Sequence, residues 1–449
     1  MSQGKSRIFF IDSQLQDMIF PLIMEQFLLM LVGLSDIFVV SYVGEAAVSG
    51  VSLVNAFNTI FIYLFTALTS GGAVIISQYI GRKNMEQASE SGSQLLMASI
   101  LFSVITAGMI LVFDETLLKL LFGKVEADVM ESCLTYLRIS AYSYPALAIY
   151  DTGAAMYRSI GKTTVTMNIS IVSNIANIIG NLIGVFYLKA GVAGVAYPSL
   201  ISRVFSAIVI TYLCFHNQNG IRYYFRKIFH WNKKLLKNIL KIAIPNGIES
   251  GIFQLVKVAL SSIAALFGTY QIAANGIAQS IWSMSALISS AMGPVFITVI
   301  GQCMGAGNTD EAEIYFKRLI KITIFISIIW NVLIFILTLL FMQRYAVSAE
   351  IRKLVIVLVL IHNIANSLIF PFADPLGKGL RATGDAKFTM IISIVTTIGV
   401  RLVLSLLFGV VLNLGVLGIA YAMCLDWMVR AVIFWIHFKV GRWKSNQVI

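Results

Sequence analysis

Stretches of about 20 apolar residues recur along nearly the whole chain, each long enough to cross the hydrocarbon layer of a bilayer as a helix. They fall near residues 15–40, 52–76, 93–113, 134–157, 165–188, 192–215, 240–265, 276–300, 319–342, 354–377, 389–411 and 415–438. Hydrophobic residues make up 58% of the 449 positions and charged residues only 12%. A soluble domain carries about 25% charged residues, so a chain this apolar could not cover its own surface in water. In lipid, every backbone N–H and C=O must be satisfied within the protein, which leaves helices as the spanning element for segments of this length. The expected fold class is an all-α polytopic membrane protein with twelve transmembrane helices.

The formal charge is +12, from 33 Lys and Arg against 21 Asp and Glu. The basic residues lie between the apolar stretches, so they read as topology signals rather than a nucleic-acid surface, and lipids rather than nucleic acid are the expected surroundings. Lys5 and Arg7, Arg82/Lys83, Arg158/Lys162, the 216–239 segment with Arg222, Arg226, Lys227, Lys233, Lys234 and Lys237, Lys317/Arg318/Lys321, Lys378/Arg381/Lys387 and the tail Lys439, Arg442 and Lys444 all fall on one side if every span crosses. Opposite loops are short or acidic, apart from one with Arg344, Arg352 and Lys353. The bias places both termini in the cytoplasm. Residues 1–14 are polar and mixed, so no cleavable signal peptide is expected. Cys133, Cys214, Cys303 and Cys424 are scattered, without disulfide or metal spacing.

The chain also contains itself twice. Pro21-x-x-x-Glu25 matches Pro245-x-x-x-Glu249, an offset of 245 − 21 = 224. The same offset carries Gly44 to Gly268, Gln78 to Gln302, Gly81 to Gly305, Asn84 to Asn308, Gly191 to Gly415 and Gly194 to Gly418. A one-residue slip pairs Arg158 with Arg381, Gly161 with Gly384 and Met167 with Met390. Each half holds six spans, and six is even, so the halves are parallel repeats related by an axis along the membrane normal, an arrangement of transporters that work by alternating access. The expected organisation is a first lobe at 1–215, a basic cytoplasmic linker at 216–239 and a second lobe at 240–449.

On these motifs the chain resembles the multidrug and toxic compound extrusion (MATE) transporters of bacterial type. The resemblance spans both halves. It rests on the paired Pro-x-x-x-Glu, Gly-Leu-Ser-Asp36, Gln-Tyr-Ile-Gly81 with Gln-Cys-Met-Gly305, Tyr-Arg158-Ser-Ile-Gly with Leu-Arg381-Ala-Thr-Gly-Asp385, and Gly191-Val-Ala-Gly194 with Gly415-Val-Leu-Gly418. No single motif is specific; their order and doubled spacing are. The resemblance implies a V-shaped pair of six-helix lobes in a bacterial inner membrane. It further implies an antiporter, expected as a monomer and with no cofactor, that exchanges Na⁺ or H⁺ for amphiphilic, often cationic, small molecules. A lipid-linked saccharide flippase is the alternative within the wider superfamily; its extra helices and basic cavity residues fit less well. A membrane-embedded enzyme would want a motif such as HExxH, and four scattered His supply none.

Charged groups at mid-bilayer are costly, so those present are functional candidates. Glu25 and Asp36 are eleven residues apart, within about 20° of one helical face. Glu249 repeats Glu25, whereas Asp36 maps to Leu260. Asp374 precedes Pro375, which disrupts a helix and frees carbonyls that, with a carboxylate, suit a hard cation. The resemblance implies cation-coupling carboxylates at Glu249 and Asp374, the first choice for a Na⁺ site, although Phe370 stands where the family has an aromatic hydroxyl. It implies a second set at Asp36, Asn177, Asn181 and Ser199, with Asn181 replacing an acid. Gln254 and Asn275 are further polar candidates. Asp151, Lys257, Arg401, Asp426 and Arg430 read as structural charges, with Asp426 and Arg430 spaced i, i+4 to pair, and His362 as a packed histidine.

Overall fold

The computed structural model describes residues 10–123, 125–216, 220–344, 347–446 and 448–449. Lys5 and Arg7, and positions 217–219 of the expected linker, lie outside the described residues.

The chain divides into two compact units. Asp12–Ile244 form the first; Pro245–Ile449, joined by Phe10 and Ile11, form the second. In the first unit lie α1 (Asp12–Ser41), α2 (Glu45–Gly81), α3 (Met85–Phe122), α4 (Ala127–Tyr142), α5 (Tyr144–Ser159), α6 (Thr163–Leu182), α7 (Ala193–Phe215) and the short α8 (Phe225–Ile228). Helix α9 (Lys233–Ala264) crosses the boundary. The second unit continues with α10 (Thr269–Ser285), α11 (Leu287–Gly305), α12 (Thr309–Arg344), α13 (Ala349–Leu368), α14 (Phe370–Ala373), α15 (Pro375–Ala382), α16 (Ala386–Val395), α17 (Val403–Leu406) and α18 (Val416–Val440). Among the described residues there is no strand.

Among the described residues, eleven helical segments are long and apolar enough to cross a membrane. The twelfth expected span is present but broken. Pro145 sits in the first turn of α5, and the chain leaves the helix at Ser143, splitting it into two 16-residue pieces. The expected tenth span is likewise interrupted, at Ile369 and again at Asp374, where Pro371 and Pro375 each open a new short helix. A proline has no N–H to give the carbonyl four residues back. Large apolar side chains such as Val112, Leu120 and Leu255 are mostly exposed, as they must be on helices whose solvent is lipid.

The duplication has a conformational cause. Gly44 and Gly268, Gly161 and Gly384, and Gly191 and Gly415 all adopt positive φ, so each pair marks the same left-handed turn between successive helices. A second glycine pair permits close helix approach. A Cβ on Gly194 would lie 2.7 Å from the Gly184 backbone, and one on Gly418 would lie 2.5 Å from Gly409 N. Small residues of this kind let membrane helices touch backbone to backbone. Gly418→Val is therefore expected to lower the yield of monodisperse protein in detergent and its unfolding temperature, whereas Gly399→Ala, with open space around it, should leave both unchanged.

The basic segment between the halves is not free. Gln94 Nε2 on α3 donates to the carbonyls of Lys227 (2.5 Å) and His230 (2.7 Å), and Asn232 N donates back to Gln94 Oε1 at 2.9 Å. Glu90 accepts from Lys227 Nζ at 2.9 Å and from Asn232 Nδ2 at 2.8 Å. That carboxylate holds the Lys227 ammonium above its usual pKa. The described part of the segment thus folds onto the first unit, and α9 begins seven residues before the expected span.

Candidate functional site

The first unit gathers polar side chains from three helices. Asp36 comes from α1, Asn177 and Asn181 from one face of α6, and Ser199 from α7. Asn181 Nδ2 donates to Asp36 Oδ1 at 2.6 Å. With its amide nitrogen turned to the carboxylate, Asn177 donates to Asp36 Oδ1 at 3.1 Å and accepts from Ser199 Oγ at 2.9 Å. That orientation satisfies both ends of the amide, the criterion by which amide rotamers are chosen. Both asparagines are buried, and Asn181 Oδ1 has no hydrogen-bond partner among the described residues. One carboxylate, two amides and a hydroxyl therefore meet, with the amide nitrogens turned to the acid and the amide oxygens turned away from it. The carboxylate can take a proton in this arrangement; to hold Na⁺, a hard cation that wants oxygen ligands, the amides would turn their oxygens inward.

Arg203 on α7 also faces this region, within electrostatic reach of Asp36. Its Nη1 donates to Ser143 Oγ at 2.7 Å, at the break between α4 and α5. Tyr136, within reach of both, completes the surroundings. Arg203 was not anticipated from sequence. A lone arginine inside an apolar span carries the same signal that singled out Asp36.

Glu25 and Glu249 are placed differently. Glu25 is buried and accepts from Arg158 Nη2 (2.8 Å), Tyr150 Oη (3.1 Å) and Thr166 Oγ1 (3.1 Å). Glu249 is gripped by Arg381 Nη2, which donates to both carboxylate oxygens at 2.7 and 2.8 Å, while Arg381 Nε donates to Thr389 Oγ1 at 3.2 Å. The second set repeats the first: 249 − 25 = 224, 381 − 158 = 223 and 389 − 166 = 223. The duplicated glutamate thus belongs to a duplicated Glu–Arg–Thr cluster.

Asp374 accepts from Lys378 Nζ at 2.8 Å, one turn along. The Lys378 stem lies against Gly293 of α11, where a Cβ would come within 2.5 Å of it. Glu249 and Asp374 are accordingly bonded to different cations rather than to a common centre. Lys378, Arg381 and Arg158, read from sequence as loop charges, lie on helices and serve these carboxylates. Gln254 and Asn275 are half-buried, on α9 and α10. Asp151, on α5, is within electrostatic reach of Glu25 and Arg158. Asp426 does pair with Arg430, at 2.9 Å, and also with Arg401, at 2.6 Å. His362 is buried against Trp282, with ring centroids 6.1 Å apart. Lys257 is exposed.

Two related units of membrane-length helices, each with charged and amide side chains buried among them, define a multi-pass membrane transporter. The chain belongs to the MatE family, whose model matches it twice, at residues 21–183 and 245–407. It is 26% identical to the "Uncharacterized transporter YisQ" of Bacillus subtilis (strain 168), over 95% of this chain and 92% of that one. It is 23% identical to the "Probable multidrug resistance protein NorM" of Thermotoga maritima, over 98% and 94% of the two chains. Its fold matches a crystal structure of MATE in the straight conformation with a TM-score of 0.89, at 20% identity and over 96% of this chain and 97% of that one.

Proposed function

We propose that this protein is a secondary antiporter that exports amphiphilic, often cationic, small molecules in exchange for Na⁺ or H⁺. The observation that carries the reading is the Asp36–Asn177–Asn181–Ser199 cluster, an acid held by two amides that can turn, one of them with its oxygen unpartnered. The naming of relatives such as NorM for multidrug resistance supports the export direction. A buried carboxylate must be neutralised, by a proton, by Na⁺ or by an organic cation, and burial makes each of these favourable relative to the bare anion. If ion and exported compound favour oppositely facing states, binding of one drives release of the other, because only differential affinity shifts a conformational population.

The first-choice pair from the sequence, Glu249 and Asp374, takes second place. An ion arriving there would have to displace Arg381 or Lys378, which already neutralise the two acids. The reading places both termini in the cytoplasm of a bacterial plasma membrane, with lobes at 1–215 and 240–449 acting in a monomer that needs no cofactor. It is tested by efflux of a cationic dye from proteoliposomes under an imposed Na⁺ or pH gradient. Gradient-dependent efflux is expected with at least one of the two ions. Efflux independent of both gradients overturns it.

A further inference from the structure

The second unit answers the acidic cluster of the first with one of opposite sign. Helices α7 and α18 correspond at an offset of 224, fixed by Gly191/Gly415 and Gly194/Gly418. That offset carries Ser202 to Asp426 and Ser206 to Arg430. It also carries Asn177 to Arg401 (401 − 177 = 224), to within the one-residue slip of that helix pair. The offset returns from 223 to 224 along this helix pair, and the extra residue has a structural source: π-turns at Thr396–Leu402 and Leu407–Val411 in the second unit, against one at Ile183–Tyr187 in the first. Each such turn inserts a residue into a helix, and they recur at functional sites. Where the first unit has an amide beside Asp36, the second has a guanidinium, and Asp36 itself becomes Leu260.

The charges do not cancel. Arg401, Asp426 and Arg430 are 3%, 0% and 7% exposed, so two cations share one anion. Arg430 is well served: Nη2 bonds Asp426 Oδ1 (2.9 Å) and Thr397 Oγ1 (2.8 Å), and Nε bonds Thr396 Oγ1 (3.2 Å). Arg401 reaches Asp426 Oδ2 through Nε (2.9 Å) and Nη2 (2.6 Å), and its plane otherwise meets the rings of Phe253 at 5.1 Å and Trp427 at 6.0 Å. A guanidinium has five N–H donors. The other two acids discussed in this unit, Glu249 and Asp374, have cations of their own.

The side chains packed at Arg401 are aromatic, and polar atoms on and beside that aromatic cluster are unsatisfied. Trp282 stacks on Trp427 at 5.7 Å and meets His362 at 6.1 Å. Trp282 Nε1, both ring nitrogens of His362 and both amide atoms of Asn366, one turn further along α13, have no hydrogen-bond partner among the described residues. His362 and Asn366 are 2% and 1% exposed. Buried polar atoms are normally satisfied, so these atoms call for partners that the described side chains do not supply.

Resting on the transport reading above, we propose that Arg401 and its aromatic surround form an anion site in the second unit, which takes the carboxylate or sulfonate of an aromatic compound. Arginine suits the task because its planar fork pairs with oxyanions and stacks on rings at the same time.

The test is isothermal titration of the purified full-length protein with 2-naphthoate and with 2-naphthylmethylammonium, the same ring system with opposite charge. Naphthoate is expected to bind the wild type through Arg401, whereas the ammonium is expected at the acid of the first unit and should bind independently of Arg401. Arg401→Gln, which leaves Asp426 neutralised by Arg430, should weaken naphthoate by about tenfold or more, and Arg401→Lys should restore a good part of it. No naphthoate binding by the wild type overturns the proposal, and that result needs no variant to fold. Naphthoate binding unchanged in Arg401→Gln overturns it as well. Dye efflux by the wild type separates the two readings. Efflux without naphthoate binding sinks the anion site alone, whereas carboxylate binding through Arg401 without gradient-driven efflux sinks the transport reading alone.

Discussion

Asp36→Asn is expected to lower gradient-driven efflux by at least about tenfold, the consequence of losing on the order of 1.4 kcal/mol or more of differential ion affinity, while the protein remains folded in the membrane. The substitution is isosteric and retains a partner for Asn181, so packing is preserved and only the negative charge is removed. Without that charge, neither a proton nor Na⁺ gains by neutralising the site, and the exported compound has no competitor to expel it. Asp36→Glu should keep a measurable part of the rate, because the charge survives in a longer side chain. The measurement is initial dye efflux from proteoliposomes, with protein content checked by size-exclusion chromatography. Undiminished efflux in Asp36→Asn, together with loss in Asp374→Asn, would move the coupling site to the second unit.

The largest effect on stability is expected at the duplicated ion pairs. Glu249 and Arg381 are largely buried, and removing one member of such a pair leaves an uncompensated charge, at a cost of about 3–5 kcal/mol. Arg381→Met alone should therefore lower the unfolding temperature in detergent, by on the order of 10 °C for a unit of this size. Glu249→Gln combined with Arg381→Met should recover most of the loss, because a buried pair exchanged for neutral groups of similar volume is often tolerated. The same holds for Glu25 with Arg158. The double variant also decides what Glu249 does. A structural pair predicts that Glu249→Gln/Arg381→Met is stable and still exports. A coupling carboxylate predicts that it is stable and inactive.

Much of the architecture was legible without coordinates because its causes are local. Twenty apolar residues in lipid must be helical, whatever lies beside them. The glycines that repeat at an offset of 224 are legible for the same reason: Gly44/Gly268 and Gly191/Gly415 mark left-handed turns that other residues rarely adopt. The break at Asp374 was announced by Pro375. The extent of the basic segment was not legible. Its docking depends on Gln94 and Glu90, more than 130 residues away in sequence, and nothing local in either stretch specifies that meeting.

The site shows the same division. From sequence alone came the list of charges stranded in apolar spans, because the cost of placing them there is a property of the residue and the solvent. Which of them remain available was decided by tertiary packing. Helix faces brought Arg158 to Glu25 and Arg381 to Glu249, and Lys378 reaches Asp374 locally, at i, i+4, which together neutralise three of the candidates. The same packing left Asp36 among amides and a hydroxyl, and Arg401 sharing a single aspartate with Arg430. Sequence thus determined that the two halves share one backbone plan of turns and spans. Only the folded structure decided which of their membrane charges are cancelled, because that depends on the neighbours of each, and many of those come from other helices.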